Sequence, residues 1–177
     1  LPDSTWEGVC DPITEIAAGG SSEANCIITA PTFAMAGWQP EIGLTINADG
    51  IERSAGALIS VAAEPSVIWT TLSIEESMAD QFSLLHFEIM NTGNTVVQER
   101  IIIESPEEWT AEVEDSDLVN LAIGESQGVR VRIVPDSPGE ALVSMSFEDS
   151  NTPGSTHSAI LDVASDPSLN TGGESGT

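Results

Sequence analysis

The sequence predicts an all-β protein made of tandem immunoglobulin-like β-sandwiches, the first of them incomplete at its N-terminus. Apolar, β-branched segments are short and recur every ~8–12 residues, which is the pattern of short strands rather than helices. Clusters of Gly, Pro, Asn, Asp and Ser separate these segments, as expected for the turns between strands. An order of landmarks found in the first 64 residues also recurs later in the chain, which predicts an internal repeat.

Seven strands are predicted in the second part of the chain, at residues 67–74, 82–90, 96–103, 109–113, 128–134, 141–148 and 157–163. This number of strands in about 100 residues is typical of an immunoglobulin-like sandwich. Within 82–90, the alternate residues Leu85, Phe87 and Ile89 share one face, which we expect to be buried. Residues 75–80 are predicted to link the first two strands.

The repeat consists of a Pro, a Trp, a Gly-Ser turn, a strand that ends near a Pro, and a further strand. Trp6 and Trp109 hold matching positions in the two copies, and Gly20 lies 11 residues before Pro31, as Gly124 does before Pro135. We therefore expect residues 1–64 to be the C-terminal part of one sandwich and 65–164 to be a complete one. Residues 165–177 have few apolar side chains and are predicted to be a flexible linker or tail.

The first copy has no counterpart of residues 67–103, which hold the first three strands of the second copy. Half a sandwich leaves a hydrophobic face and strand edges uncovered. Two sources of the missing strands remain open at this point, namely upstream sequence, which is the simpler account, and donation by a neighbouring molecule.

Cys10 and Cys26 are the two cysteines of the chain, and we expect them to form a disulfide rather than to remain reduced or to bind a metal. The repeat places Cys10 opposite Val113. It places Cys26 opposite Arg130 or Val131, depending on whether Gly20 or Gly19 corresponds to Gly124. In the Val131 register, both cysteines are expected to point inward on successive strands.

The charge of the chain is strongly unbalanced, with 29 acidic residues, four arginines and no lysine, for a net charge of −25. Such a charge repels phosphate backbones and anionic lipid surfaces, so nucleic acid and membrane insertion of this segment are not expected. Repulsion of this size is screened at high ionic strength, which favours a salt-adapted prokaryotic source. Because the chain begins with Leu1 and contains no run of 18 apolar residues, we interpret it as a piece of a longer protein.

Three groups of residues are candidate site residues. Asn91, Gly93 and Asn94 suit a structural turn, predicted as a tight hairpin turn rather than a binding loop. Trp38 has no counterpart in the second copy and is the best candidate for a ligand contact. Asp115 and Asp117 lead the candidates for a calcium site, although they lack the spacing of a twelve-residue calcium loop.

No catalytic signature is present in the sequence. His86 and His157 have no neighbouring cysteine and no Gly-x-Ser-x-Gly nucleophile motif, and no Gly-rich phosphate loop occurs. The sequence therefore predicts a non-enzyme without cofactors, apart from the calcium candidate.

The repeat unit resembles a known family. Phe87-x-Ile89-x-Asn91-Thr-Gly-Asn, Pro106-x-x-Trp109, Ile123-Gly-Glu-Ser and the strand before Pro135 are similar to the NPCBM-associated (NEW-type) β-sandwich domains, which are close to CARDB-like adhesion modules. The resemblance covers about 66–164 in full and 1–62 in part. It implies an extracellular, non-catalytic module of archaeal or bacterial surface proteins, and the acidity suits an archaeal source.

We thus expect a structural, spacer and adhesion module of a larger secreted or cell-surface protein. Its partners would be neighbouring domains of the same chain, and surface proteins or glycans. The alternative is an accessory carbohydrate-binding module of a secreted hydrolase, which exposed, coplanar tryptophans would favour.

Overall fold

A computed structural model describes residues 5–75, 81–148 and 150–164, and these residues form β-strands and loops without a helix. The twelve strands are β1 (Glu7–Cys10), β2 (Cys26–Thr29), β3 (Glu41–Ala48), β4 (Ile51–Leu58), β5 (Val67–Glu75), β6 (Ser83–Asn91), β7 (Val97–Glu104), β8 (Thr110–Val113), β9 (Leu118–Leu121), β10 (Ser126–Val134), β11 (Gly139–Phe147) and β12 (Thr156–Val163). The chain divides into two compact units between Glu64 and Pro65. The predicted fold class, tandem all-β sandwiches, is confirmed.

The second unit contains two four-stranded sheets. One has the strand order β5-β6-β10-β8 and the other β12-β11-β7-β9, with all neighbours antiparallel. The orders β5-β6-β10-β8 and β12-β11-β7 correspond to the A-B-E-D and G-F-C sheets of the immunoglobulin fold. Sequential strands are thus distributed between two sheets that pack face to face.

The core of the second unit lies between its two sheets. Leu85, Phe87 and Ile89 of β6 are fully buried, which confirms the predicted inward face of that strand. The other sheet contributes Val143, Met145 and Leu161, which are also fully buried. Because strand side chains alternate between faces, each sheet supplies every second residue to this core.

Seven of the eight strands of the second unit lie within two residues of their predicted bounds. The eighth, β9, was not predicted. It is four residues long and follows the acidic stretch 114–117, so its apolar pattern is too short to be distinguished from a loop. It is ordered by its pairing with β7, in which Leu121 lies opposite Val97.

The prediction of a hairpin turn at 91–94 was wrong. β6 and β7, which this segment joins, belong to different sheets, because β6 pairs with β5 and β10 whereas β7 pairs with β11 and β9. The segment is therefore a connection between the two sheets. Apolar alternation shows that a strand is half-buried but does not identify the strand with which it pairs. The sequence pattern therefore could not distinguish a hairpin from a crossover between sheets.

The first unit contains two two-stranded sheets, β1-β2 and β3-β4. Strands β3 and β4 are joined by Asp49 and Gly50, which have φ values of 51° and 78°. Two positive φ values in a two-residue loop define a type I′ turn, for which Asp-Gly is a preferred sequence. Among the described residues of this unit, Trp6, Ala34 and Pro40 are buried, and most of its strand residues are exposed.

Two predicted segments lie outside the described residues. They are the part of the predicted link at 76–80 and the predicted tail at 165–177.

Candidate functional site

The side chain of Asn91 holds the connection between the two sheets of the second unit. Asn91 is fully buried, and its Nδ2 donates to the carbonyl oxygens of Thr95 at 2.8 Å and Leu121 at 3.1 Å. Its Oδ1 accepts a hydrogen bond from the Gly93 backbone N–H at 3.0 Å, which is an Asx turn. Since its donors and its acceptor are all used internally, Asn91 is a structural residue that fixes the corner between β6 and β7.

The sequence contained a signal for this role. An Asn two residues before a Gly favours an Asx turn, because the short amide side chain reaches the backbone N–H two residues on. What the sequence did not show is the bond to Leu121, which lies 30 residues away on β9.

The disulfide joins two directly paired residues of the first unit. Cys10 and Cys26 are cross-strand partners in the β1-β2 sheet, and their sulfur atoms are 2.02 Å apart. In the second unit, Val113 and Val131 are partners where β8 pairs with β10. The disulfide therefore occupies the register position of the Val113–Val131 pair.

The turns that precede β2 and β10 establish this correspondence independently. Gly19 has a φ of 75° and Gly124 a φ of 76°, a region that favours glycine. The Gly20 N–H donates to the Ala17 carbonyl at 2.8 Å, and Glu125 donates to Ala122 at 3.0 Å. Gly19, and not Gly20, is thus the counterpart of Gly124, which aligns Cys26 with Val131.

A third match lies where β1 and β8 end. The Asp11 N–H donates to the carbonyl of Asn25, and the Glu114 N–H donates to that of Arg130, both at 2.9 Å. The two units thus share strand register, turn and ladder end, although their sequences have few identities here.

The cysteines have the expected register, opposite the positions of Val113 and Val131, but they are not buried. Val131 faces the core of the second unit and is fully buried, whereas Cys10 and Cys26 are exposed. The reason is that a second sheet covers Val131, while none of the described strands of the first unit covers the corresponding face of β1 and β2.

The tryptophans do not form a flat binding platform. Trp38 is 37% exposed and makes an edge-to-face contact with Trp6, with ring centroids 5.6 Å apart and planes at 69°. Trp6, Trp69 and Trp109 are buried. Trp38 is therefore the one tryptophan available for a contact, and part of its ring already packs against Trp6.

The two aspartates of the candidate calcium site pair with different arginines. Asp115 accepts two hydrogen bonds from Arg130, from Nη2 at 2.6 Å and from Nε at 3.0 Å. Asp117 lies 3.1 Å from Nη1 of Arg100. The hydrogen bond from Arg130 lowers the pKa of Asp115 below its ordinary value, against a smaller opposing effect of desolvation.

Within 5–75, 81–148 and 150–164, no three metal-ligating side chains come together. Calcium at Asp115 and Asp117 stays a prediction, and any ion there would compete with the two arginines.

The two histidines lie on different strands. His157 of β12 stacks on Trp69 with the ring planes 2° apart, and its Nε2 is 3.0 Å from Oγ1 of Thr71. His86 of β6 lies opposite Arg130 of β10. His157 thus contributes packing between the sheets.

Comparison with known proteins gives structural similarities at low identity. No protein-family model and no curated protein matches the sequence. The structure of the S-layer protein SbsC domains 4 and 5 is 12% identical, with a TM-score of 0.42, and the match covers 92% of this chain and 72% of that one. The structure of SbsC domains 1–6 is 14% identical, with a TM-score of 0.44, over 92% of this chain and 20% of that one.

The adhesin InvE of Yersinia pseudotuberculosis is 15% identical, with a TM-score of 0.31, over 92% of this chain and 49% of that one. This chain thus spans about half of the adhesin structure and about a fifth of the longer SbsC structure. The resemblance to NPCBM-associated and CARDB-like modules stays a prediction.

Across the part of the chain that the structure describes, no helix has the length and apolar character needed to cross a bilayer.

Proposed function

We propose that this chain is a non-catalytic spacer and adhesion module of a larger secreted or cell-surface protein. The observation that carries the proposal is the match between the β1-β2 pair and the β8-β10 pair. The two pairs have the same register and the same turn, and the disulfide lies where the second unit has a valine pair. Domains of this kind each have a core of their own, so several can follow one another along a chain, as a spacer requires.

The packing of the second unit supports a load-bearing role. Its core is filled from both sheets by side chains that are fully buried, and its sheet connection is fixed by the three hydrogen bonds of Asn91. A close-packed interior of this kind transmits strain rather than deforming gradually. We expect it to resist extension until it unfolds cooperatively.

The disulfide and the surface charge support an extracellular location. Disulfides persist in oxidising compartments, and Cys10–Cys26 closes a loop with a sequence separation of 16. The net charge of −25 keeps neighbouring copies apart by repulsion, most strongly at low ionic strength. Both features suit a module that is displayed at a surface.

Single-molecule force spectroscopy on the full chain between passive handle domains tests the proposal. The second unit, from Val67 to Val163, should unfold in one discrete event. At ~3.5 Å per residue, its ~97 residues should release about 340 Å of contour length, less the folded size of the unit. Featureless extension without a force peak would contradict a load-bearing spacer.

A glycan screen with the full chain tests the adhesion part of the proposal against the carbohydrate-binding alternative. Binding of a sugar by the full chain that is lost in the Trp38→Ala variant would favour an accessory module of a hydrolase, because Trp38 is the exposed tryptophan. Trp38→Phe is the matched control, since it keeps an aromatic ring against Trp6.

A further inference from the structure

Two of the free strand edges of the first unit lie at positions that are paired in the second unit. In the second unit, β10 pairs with β8 and β6, and β11 pairs with β12 and β7. In the first unit, β2 pairs with β1 and β3 pairs with β4, and no described strand pairs with the other edges of β2 and β3. These are the edges that β6 and β7 occupy in the second unit.

The β3-β4 hairpin presents an apolar face that matches a buried face of the second unit. Ile42 and Leu44 of β3 lie on this face with their partners Ala57 and Ala55, and Ile46 lies there opposite Arg53. When the turn glycines Gly50 and Gly154 are aligned, the pairs Ile42–Ala57 and Leu44–Ala55 correspond to Ala141–Leu161 and Val143–Ala159. Val143 and Leu161 are fully buried, but Leu44 is 41% and Ile46 is 45% exposed.

The first unit also contains the counterpart of β9 in an unpaired form. The matching turns align Ile16 with Leu121, the last residue of β9. Leu121 is buried and pairs with Val97 of β7, whereas Ile16 is 49% exposed and residues 13–16 form no strand. The sequence Ile-Thr-Glu-Ile at 13–16 has apolar ends like the Leu-Val-Asn-Leu of β9, so what it lacks is a β7-like neighbour.

The turn glycines show that a β5-like strand is missing as well. Gly50 and Gly154 have φ values of 78° and 81°. A Cβ atom at Gly154 would collide with the carbonyl oxygen of Val67 at the start of β5, whereas nothing lies within 4 Å of a Cβ at Gly50. The space that β5 fills beside Gly154 is open beside Gly50.

We propose that the first unit is a binding surface for a three-stranded segment of the β5–β7 type, supplied by the same polypeptide ahead of β1. Its middle strand would pair with β2, and its last strand with β3 and residues 13–16. The segment would carry alternate apolar residues toward Ile42, Leu44 and Ile46, as β6 and β7 do in the second unit. The disulfide would then face a closed core.

The position of Trp6 argues for a segment of the same polypeptide. In the second unit, β7 continues into β8 through a turn in which the Trp109 N–H donates to the Pro106 carbonyl at 2.9 Å. Trp6 likewise precedes β1, follows Pro2 in the sequence, and is buried like Trp109. Trp6 therefore has the same place ahead of β1 as Trp109 has ahead of β8, which is the strand that follows β7. This inference concerns the assembly of the fold and holds whether or not the module is a spacer.

The test fuses a second copy of residues 65–104 ahead of Leu1 in the full 177-residue chain, with these residues serving as the probe. Amide hydrogen exchange read by mass spectrometry should show at least ~10-fold slower exchange in β2, β3 and residues 13–16 than in the unfused chain. Reduction of the Cys10–Cys26 disulfide by dithiothreitol should slow by a similar factor, because the closed core shields it. The matched control carries Leu85→Ser, Phe87→Ser and Ile89→Ser in the added copy alone, and it should gain no protection.

Two results would overturn the proposal. One is unchanged exchange and unchanged disulfide reduction in the fusion, or an equal gain in the control. The other is a concentration-dependent dimer of the unfused chain, seen by sedimentation, that protects β2 and β3, since a second copy would then be the occupant of the surface.

Discussion

Replacing Asn91 by alanine tests the corner between the two sheets of the second unit. The substitution removes hydrogen bonds to the Thr95 and Leu121 carbonyl oxygens and to the Gly93 N–H, at 2.8, 3.1 and 3.0 Å. At about 1 kcal/mol for each hydrogen bond, the free energy of unfolding falls by about 3 kcal/mol. The loss is larger if no water replaces the amide, because the buried Leu121 carbonyl is then left without a donor. For a unit of this size, such a loss lowers Tm by on the order of 15 °C.

Urea denaturation of the full chain followed by far-ultraviolet circular dichroism measures the change. The matched control is Asn120→Ala on β9, where an exposed amide makes one side-chain hydrogen bond, with Gln98 at 3.2 Å. We expect that control to change the free energy of unfolding by less than about 0.5 kcal/mol.

A second variant separates the donor role of Asn91 from its packing. Asn91→Asp keeps the volume and the acceptor for Gly93 but loses both donated hydrogen bonds and buries a charge beside two carbonyl oxygens. It should destabilise at least as much as Asn91→Ala at neutral pH. If Asn91→Ala costs no more than Asn120→Ala, the corner is not held as described.

Three further predictions follow from the turn glycines, the arginine pair and the charge. Gly154→Ala should lower the free energy of unfolding by about 2 kcal/mol or more, because the added Cβ meets the Val67 carbonyl and the residue has a positive φ. Gly50→Ala, which has the positive φ alone, should cost about 1 kcal/mol. Equal costs by urea denaturation would contradict this. The pKa of Asp115, measured by nuclear magnetic resonance, should lie below the usual aspartate range, and Arg130→Gln should return it toward the ordinary value. Because folding lowers this pKa, the pair stabilises the fold above the unfolded pKa and loses its effect as pH falls through the folded pKa. An unshifted pKa of Asp115 in the unmodified chain would contradict the pairing. Raising NaCl from about 0.1 to about 1 M shortens the screening length from about 10 to about 3 Å, and this should raise Tm by several degrees because it weakens the self-repulsion of the net charge of −25. The control is an uncharged osmolyte of equal osmolality. A Tm that stays level or falls would show that this repulsion does not limit stability.

The strands of the second unit were predictable because their side chains alternate in hydrophobicity. β6 is the clearest case, since Leu85, Phe87 and Ile89 mark its inward face and all three are buried. β9 was missed because four residues after an acidic stretch carry too little pattern, and because its order depends on β7 rather than on its own sequence.

The sequence predicted a repeat as an order of landmarks, without its register. Adjacent glycines at 19 and 20 left two alignments open, and the backbone conformation and hydrogen bonds of the turns identify Gly19 as the counterpart of Gly124. The neighbours of β6 and β7 could not be predicted either, because pairing depends on contacts between residues distant in sequence, such as that of Asn91 with Leu121.

Among the candidate site residues, Asp115 and Asp117 show what sequence spacing leaves out. Their carboxylates are two residues apart in the chain, which is why they were candidate ligands for one ion. Their partners, Arg130 and Arg100, come from strands of different sheets and draw the two carboxylates to different cations. Only the fold specifies that choice.

Amide hydrogen exchange on the unmodified full chain tests most directly the claim that one sandwich plan is complete in the second unit and open in the first. The structure predicts that amides of β6 and β10 exchange only through global unfolding of their unit, and that those of β2 and β3 exchange faster by orders of magnitude, since each has a free edge and an exposed face. Equal, high protection of β2, β3, β6 and β10 in the monomeric chain would contradict the claim.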